Sequence, residues 1–293
     1  MRLFTLLATG VGLSLLFLLI GCSESGTDGT VQLLVADAPL HLDDGTVVKA
    51  VNVTITQVEL IASDAEDSPR EILFSGSEVI NLLSLANTPV AQLPQLGLAT
   101  VRAGTYTQLR LIIDESGSNV VLDDDSVQPL LVASGEQTGL KVVDLNLHID
   151  AGVTQAVLLD FDLSKLQEYA PEFKLTPNAL RVVKLTNAGS VTGSLALPAE
   201  TVTAADVVAT LTIHQAGVID PIAITQVVLN SSTPTATYVF NGIPADDDYV
   251  VTVAASYLAQ STAFDIPTAP ATVAVTAGGT TNQGVTEVTG LTF

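Results

Sequence analysis

Asp160 and Asp162 come nearest, among the side chains of this sequence, to a pair that could do chemistry. They flank Phe161 in the segment 155–163, where Val157, Leu159, Phe161 and Leu163 fall on one side of an extended strand. Residues two apart on a strand point to one face, about 7 Å apart, so both carboxylates face the same way. That separation suits acid–base hydrolysis or a calcium ion. Alternation alone, however, also yields an outward polar face, and this plainer reading is the one the pattern favours. Asp123, Asp124 and Asp125 form a second acidic run, and Asp246, Asp247 and Asp248 a third. Both are expected at turns. Neither places ligands at alternate positions with a terminal Glu, as a calcium loop does, so at most weak calcium contacts are expected, with no other cofactor.

The remaining reactive side chains are scattered. His41, His148 and His214 lie far apart, with no second His or Cys at ligand spacing. His148 and His214 fall on the polar faces of expected strands, where a solvated imidazole is the simpler expectation. No G-x-S-x-G elbow exists. Ser134 in ASGEQTG has no local base, and Gly135, Gly139 and Lys141 miss the spacing of a phosphate loop. With no Trp and five Tyr, aromatic platforms for sugars are scarce. No residue set names a substrate or a ligand.

The elements that would position these groups are strands. Val and Thr are abundant, Gly and Pro recur, and no long amphipathic helix is visible. In segment 49–61 the apolar face passes from Val51, Val53 and Ile55 to Val58 and Leu60. The phase slips by one, which predicts a bulge near Thr56 and Gln57. In segment 141–150, Val143, Leu145, Leu147 and Ile149 alternate with Asp144, Asn146, His148 and Asp150, and a tight hairpin at 150–152 is expected to join this strand to 155–163. The stretch 88–98 is rich in Pro. Basic residues stop at Lys184, beyond which come eight carboxylates and no Lys or Arg. Asn187-Ala188-Gly189 therefore reads as a boundary, followed by strand segments near 191–197, 207–214, 222–229, 236–240, 249–255, 272–276 and 285–292. Many short strands with regular turns mean sandwiches or barrels. The expected architecture is all-β: two β-sandwich-like domains, 30–186 and 187–293, behind residues 1–21 and a polar tether at 22–29.

The formal charge is −21. Such a chain repels phosphate backbones, so no nucleic-acid partner is expected. Anionic head groups are repelled too, which leaves membrane attachment to another device. Residues 3–20 carry no charge, follow the single cation Arg2, and end in Leu19-Ile20-Gly21-Cys22, with Ser23 next. A basic start, an apolar middle and small residues before a cut are the layout of an export signal. The exit resembles the bacterial lipoprotein signal. That resemblance implies cleavage between Gly21 and Cys22, lipidation of Cys22, and, with Ser rather than Asp following, outer-membrane sorting. Several acyl chains anchor stably where one is marginal. Cys22 is the only cysteine, so no intrachain disulfide can form.

The blocks VQLLVADAP, AVNVTITQVEL, INLLSL, VRAGTYTQLRLII, LLVASGEQTGLKV, VLLDFDLSK and KLTPNALRVV resemble, in order, the domain of unknown function 4382 family over 30–186. That family is typical of secreted bacterial proteins and lipoproteins, and implies no established activity. The blocks VTGSLALP, TATYVFNGIPADDDYVVTVAASY and VAVTAGGTTNQGVTEVTGL resemble a carboxypeptidase regulatory-like, transthyretin-type sandwich, with Asp248 where a Gly is usual. This second likeness implies a small non-catalytic accessory module. The functional expectation is a lipid-anchored envelope protein, periplasmic or surface facing, that binds an unknown envelope protein or ligand or serves a structural role without being an enzyme. The alternatives are a hydrolase using Asp160 and Asp162, and a calcium-dependent adhesion module.

Overall fold

In the structure, a computed structural model, the described residues are 27–38, 48–62, 69–133, 139–169, 171–197, 207–257, 260–265 and 272–287. Gly21, Cys22, His41, Ser134 and Gly135 lie outside them. No helix among the described residues is long and apolar enough to cross a membrane. The described residues are almost entirely strand, as the β-rich composition requires.

Thirteen strands come first: β1 (Asp28–Ala38), β2 (Val48–Ile61), β3 (Arg70–Asn81), β4 (Gln95–Arg102), β5 (Gly104–Tyr106), β6 (Gln108–Leu122), β7 (Val127–Val132), β8 (Leu140–Val142), β9 (Leu147–Ile149), β10 (Thr154–Asp162), β11 (Gln167–Tyr169), β12 (Glu172–Leu175) and β13 (Leu180–Lys184). One sheet has the order β13-β10-β1-β4, with β1 and β10 parallel. The other runs β11-β12-β7-β6-β2-β3, with β8 also on β6. Val31, Leu33 and Val35 of β1 meet Val53, Ile55, Leu109, Leu111, Val157 and Phe161 in one apolar cluster. Each such side chain, fully buried, contributes roughly 1.5–3 kcal/mol.

The phase slip in β2 is a register shift between Ile55 and Gln57 in both of its ladders. Two expectations need correction. Segment 141–150 is not one strand: β8 and β9 lie in different sheets, and Asp144 between them has φ 56°. The turn at 151–152 exists, with Gly152 at φ 71°, but it is no hairpin. β9 pairs with β5, whereas β10 pairs with β1 and β13. A turn signal is local and a strand's partner is not. Part of the Pro-rich stretch forms β4, antiparallel to β1.

Gly139, a candidate phosphate-loop residue, has a plain backbone reason. Its φ is 64°, and a Cβ there would strike the Leu111 carbonyl. Left-handed backbone costs an L-residue about 1–2 kcal/mol, and the clash adds to it. Gly139→Ala is expected to lower the urea midpoint at unchanged slope.

Eight further strands follow: β14 (Ala188–Ala196), β15 (Val207–Gln215), β16 (Ala223–Leu229), β17 (Thr235–Pro244), β18 (Asp246–Tyr257), β19 (Gln260–Asp265), β20 (Thr272–Val275) and β21 (Thr280–Glu287). Sheet β17-β14-β21 and sheet β16-β15-β18-β19, with β20 on β18, enclose a second apolar cluster that includes Val191, Leu211, Ile213, Phe240 and Tyr249. Tyr238 and Phe240 meet edge-to-face at 5.9 Å. Asp246, Asp247 and Asp248 open β18 rather than forming a free turn, beside a register shift between Asp246 and Tyr249. A third cluster, Leu34, Ala36, Leu93 and Leu158, with Val183 and Leu185 packed on it, lies on the opposite face of the β1–β10 sheet from the first core. Gly242 of the second region sits here, close enough that a Cβ would touch Leu158 and Val183.

Candidate functional site

The joint between the two regions holds the carboxylates singled out above. Val157, Leu159 and Phe161 fill the inner core, so the pleat turns Leu158, Asp160 and Asp162 to the other side. That side is not the open polar face expected from alternation. The second region covers it, and the Asp160 side chain is only 13% exposed. The β10–β13 register sets Asp160 opposite Arg181. Arg181 donates to Asp160 Oδ2 from Nε (3.0 Å) and Nη2 (2.5 Å), and from Nη2 to the carbonyl of Asn241 in β17 (3.2 Å). Burial pushes the Asp160 carboxyl up from its ordinary range, against the pull of the guanidinium. Asp162 is committed to a short 3-10 turn: its Oδ1 accepts from the Ser164 amide (3.2 Å) and hydroxyl (2.5 Å), and Lys165 lies 3.0 Å from Oδ2.

The two carboxylates thus share a pocket with Lys165, Asn178 and Arg181, but its volume is about 40 Å³. About 10–15 Å³ of such volume holds one water, so this is room for a few waters. Both candidate acids already serve as partners of neighbouring side chains.

Asp123, Asp124 and Asp125 form the turn between β6 and β7. Asp125 has φ 65° and its amide donates to the Leu122 carbonyl. Asp124 accepts from the Ser126 amide at 2.9 Å, and hydrogen bonding to Ser126 lowers its pKa. Lys49 pairs with Asp125 at 2.7 Å. This is turn chemistry. Among the described residues no three His, Cys, Asp or Glu side chains converge on a common point.

His148 is exposed but not merely solvated. Its Nδ1 is 3.0 Å from Thr105 Oγ1 and its Nε2 is 3.5 Å from Asp150. Lys184 donates to the His148 carbonyl (2.8 Å) and to Asp150 (3.3 Å). The shared face of His148 and Asp150 is visible in the alternation. Thr105 is not, because it arrives through the β5–β9 pairing. His214 lies 3.4 Å from the neighbouring Gln215 carbonyl.

A residue with no sequence signal closes the joint. Asn87 follows the 3-10 turn Leu82–Leu85 with φ 57°. Its side-chain amide donates to the Gln226 carbonyl of β16 (2.7 Å), while its Oδ1 accepts from the Thr225 hydroxyl (2.7 Å) and the Val239 amide of β17 (3.0 Å). One side chain of the first region thus bridges the edges of both sheets of the second. Beside it, Asn241 donates to the Thr88 carbonyl at 2.8 Å. A cleft of about 660 Å³ borders β13, with Val143, Leu145, Val182 and Pro244 among its lining.

The model of a family described as "Domain of unknown function (DUF4382)" matches residues 28–177, just over half of the chain. No curated protein matches. Among solved structures, a leucine-rich repeat protein from Bacteroides thetaiotaomicron is 14% identical, with a TM-score of 0.23; the match covers 89% of this chain but only 26% of that one. The minor pilin GBS52 of Streptococcus agalactiae is 12% identical, with 90% of this chain and 98% of that one covered and a TM-score of 0.25. The major pilin of Streptococcus pyogenes is 10% identical, with 89% and 99% covered and a TM-score of 0.17. Scores this low make none of these structures a template for this chain.

Proposed function

The chain belongs to the domain of unknown function 4382 family, and from that premise we propose a lipid-anchored bacterial envelope protein with a non-enzymatic binding or structural role. The observation that carries the non-enzymatic part is the fate of Asp160 and Asp162. Both are spent on Arg181, Ser164 and Lys165, in a pocket with room for only a few waters. The anchoring part rests on Leu19-Ile20-Gly21-Cys22 after an uncharged run. In this reading the chain is cut before Cys22, acylated there, and sorted to the outer membrane, where the acidic body faces the periplasm or the surface. Residues 30–186 and 187–293 act as two domains, and the two separate apolar clusters support that division. The second domain serves as a carboxypeptidase regulatory-like accessory sandwich. The contacts of Asn87, Asn241 and Arg181 support its being held against the first.

Envelope fractionation after feeding radiolabelled palmitate tests the proposal. The wild-type chain is expected to carry label in the membrane fraction, and Cys22→Ala to lose the label and leave that fraction. Label persisting on Cys22→Ala would overturn the anchor. Turnover of a substrate that is lost in Asp160→Asn and Asp162→Asn would overturn the non-enzymatic role.

A further inference from the structure

Alternation makes 141–150 look like one strand, yet the left-handed Asp144 breaks it. The interrupted stretch, Val143 to Asn146, borders the cleft of about 660 Å³ together with every residue of β13. Among the described residues β13 is the outermost strand of its sheet and pairs with β10 alone. An outermost strand keeps one row of N–H and C=O groups without ladder partners. Its surroundings decide what could take them. Val143, at 56% exposure, and the half-buried Leu145, Val182 and Val183 give an apolar lining. The three cations among the described residues at the cleft are matched in place: Lys165 by Asp162, Arg181 by Asp160, and Lys184 by Asp150. Among the described residues an anionic ligand therefore finds no surplus positive charge, and no aromatic ring lines the cleft for a sugar.

An open backbone edge beside alternating apolar side chains is the complement of an extended polypeptide, which binds by main-chain pairing and side-chain pockets. The full sequence carries a formal charge of −21, which attracts positive partners at long range and repels a second copy of the chain. We propose that the cleft along β13 receives an extended, net-basic segment of a partner protein, which joins the sheet as an additional strand. This rests on the non-enzymatic binding reading and gives it a partner class.

The test is selection of a random octapeptide display library on the full-length mature protein. Enriched peptides are expected to alternate apolar residues, carry net positive charge, and lose affinity at least fivefold as salt is raised from about one-tenth of to above physiological strength. Their binding should slow amide exchange in Arg181–Lys184. Val143→Lys, at an exposed position that should leave the melting temperature unchanged, should weaken them at least tenfold. The proposal is overturned by no enrichment, by neutral or acidic winners, by equal binding to Val143→Lys, or by unchanged exchange in β13. It is also overturned if β13 becomes protected with rising protein concentration alone, since a second copy is then the occupant. Failure here with palmitate still on Cys22 sinks only the strand site, whereas loss of label with peptide binding intact sinks only the anchor.

Discussion

Asn87→Ala is expected to destabilise the folded chain by about 2–4 kcal/mol. The side chain accepts from Thr225 and Val239 and donates to Gln226. Thr225 is buried, and the edges of β16 and β17 meet the first region here. Each partner left without its bond costs about 1–3 kcal/mol where water cannot reach it, and less where it can. The backbone adds a second component. At φ 57° Asn is tolerated far better than Ala, because its short amide suits the left-handed region. Asn87→Gly removes the amide while relaxing the backbone, so it should fall between wild type and Asn87→Ala. Asn87→Asp keeps the acceptor for Thr225 and Val239 but turns a carboxylate oxygen toward the Gln226 carbonyl, so it too should be destabilised. Urea denaturation of the four proteins checks the order. If Asn87→Ala matches wild type, the bridge across the two sheet edges contributes nothing.

Arg181→Ala should cost about 3 kcal/mol at neutral pH, the lower end of the range for breaking a buried ion pair, since Arg181 is itself 32% exposed. The distinctive feature is its pH dependence. Burial already holds the Asp160 carboxyl above its ordinary pKa, and the guanidinium restrains that rise. Without Arg181 the folded pKa climbs further. A group whose folded pKa exceeds its unfolded one gives stability that is complete below the unfolded pKa and lost as pH rises through the folded one. The deficit of Arg181→Ala relative to wild type should therefore be small in acid and grow as pH rises. Asp114, Asp124 and Asp150, whose pKa values are lowered chiefly by hydrogen bonds from Ser116, Ser126 and Lys184, act in the opposite direction: stability they give above the unfolded pKa is lost as pH falls through the folded one. They do so equally in both proteins and cancel in the comparison. Adding Asp160→Asn to Arg181→Ala should flatten the difference. A deficit independent of pH in the single variant would mean that Asp160 stays ionised without its partner.

The strands were legible where one face alone is buried. The β2 bulge showed as a phase slip, and β14 to β18 showed as alternating runs between turns. The joint was legible only in part. Val157-Leu158-Leu159 in β10 and Leu33-Leu34-Val35 in β1 break strict alternation, and a continuous apolar run marks a strand buried on both faces. Read that way, the runs announce that Asp160 shares a covered side with Leu158. What covers it was not legible, because Arg181 reaches Asp160 through strand register and Asn241 meets Arg181 through the packing of the second region, neither of which is written locally. The same limit hid Thr105 beside His148 and misassigned the turn at 151–152 to a hairpin. Asn87 lies in Asn-Thr-Pro, which reads as an ordinary turn. The Pro89, Pro94 and Gly97 positions disguised β4, whose close approach to the Leu73 carbonyl is open to Gly97 because it lacks a side chain.

The most direct single measurement is the intact mass and N-terminal peptide of the protein extracted in detergent from the envelope. The expected result is a chain beginning at Cys22, heavier than its residues by a diacylglycerol and an amide-linked acyl group. A chain beginning at Met1 with an unmodified thiol, recovered from the cytosol, would contradict it.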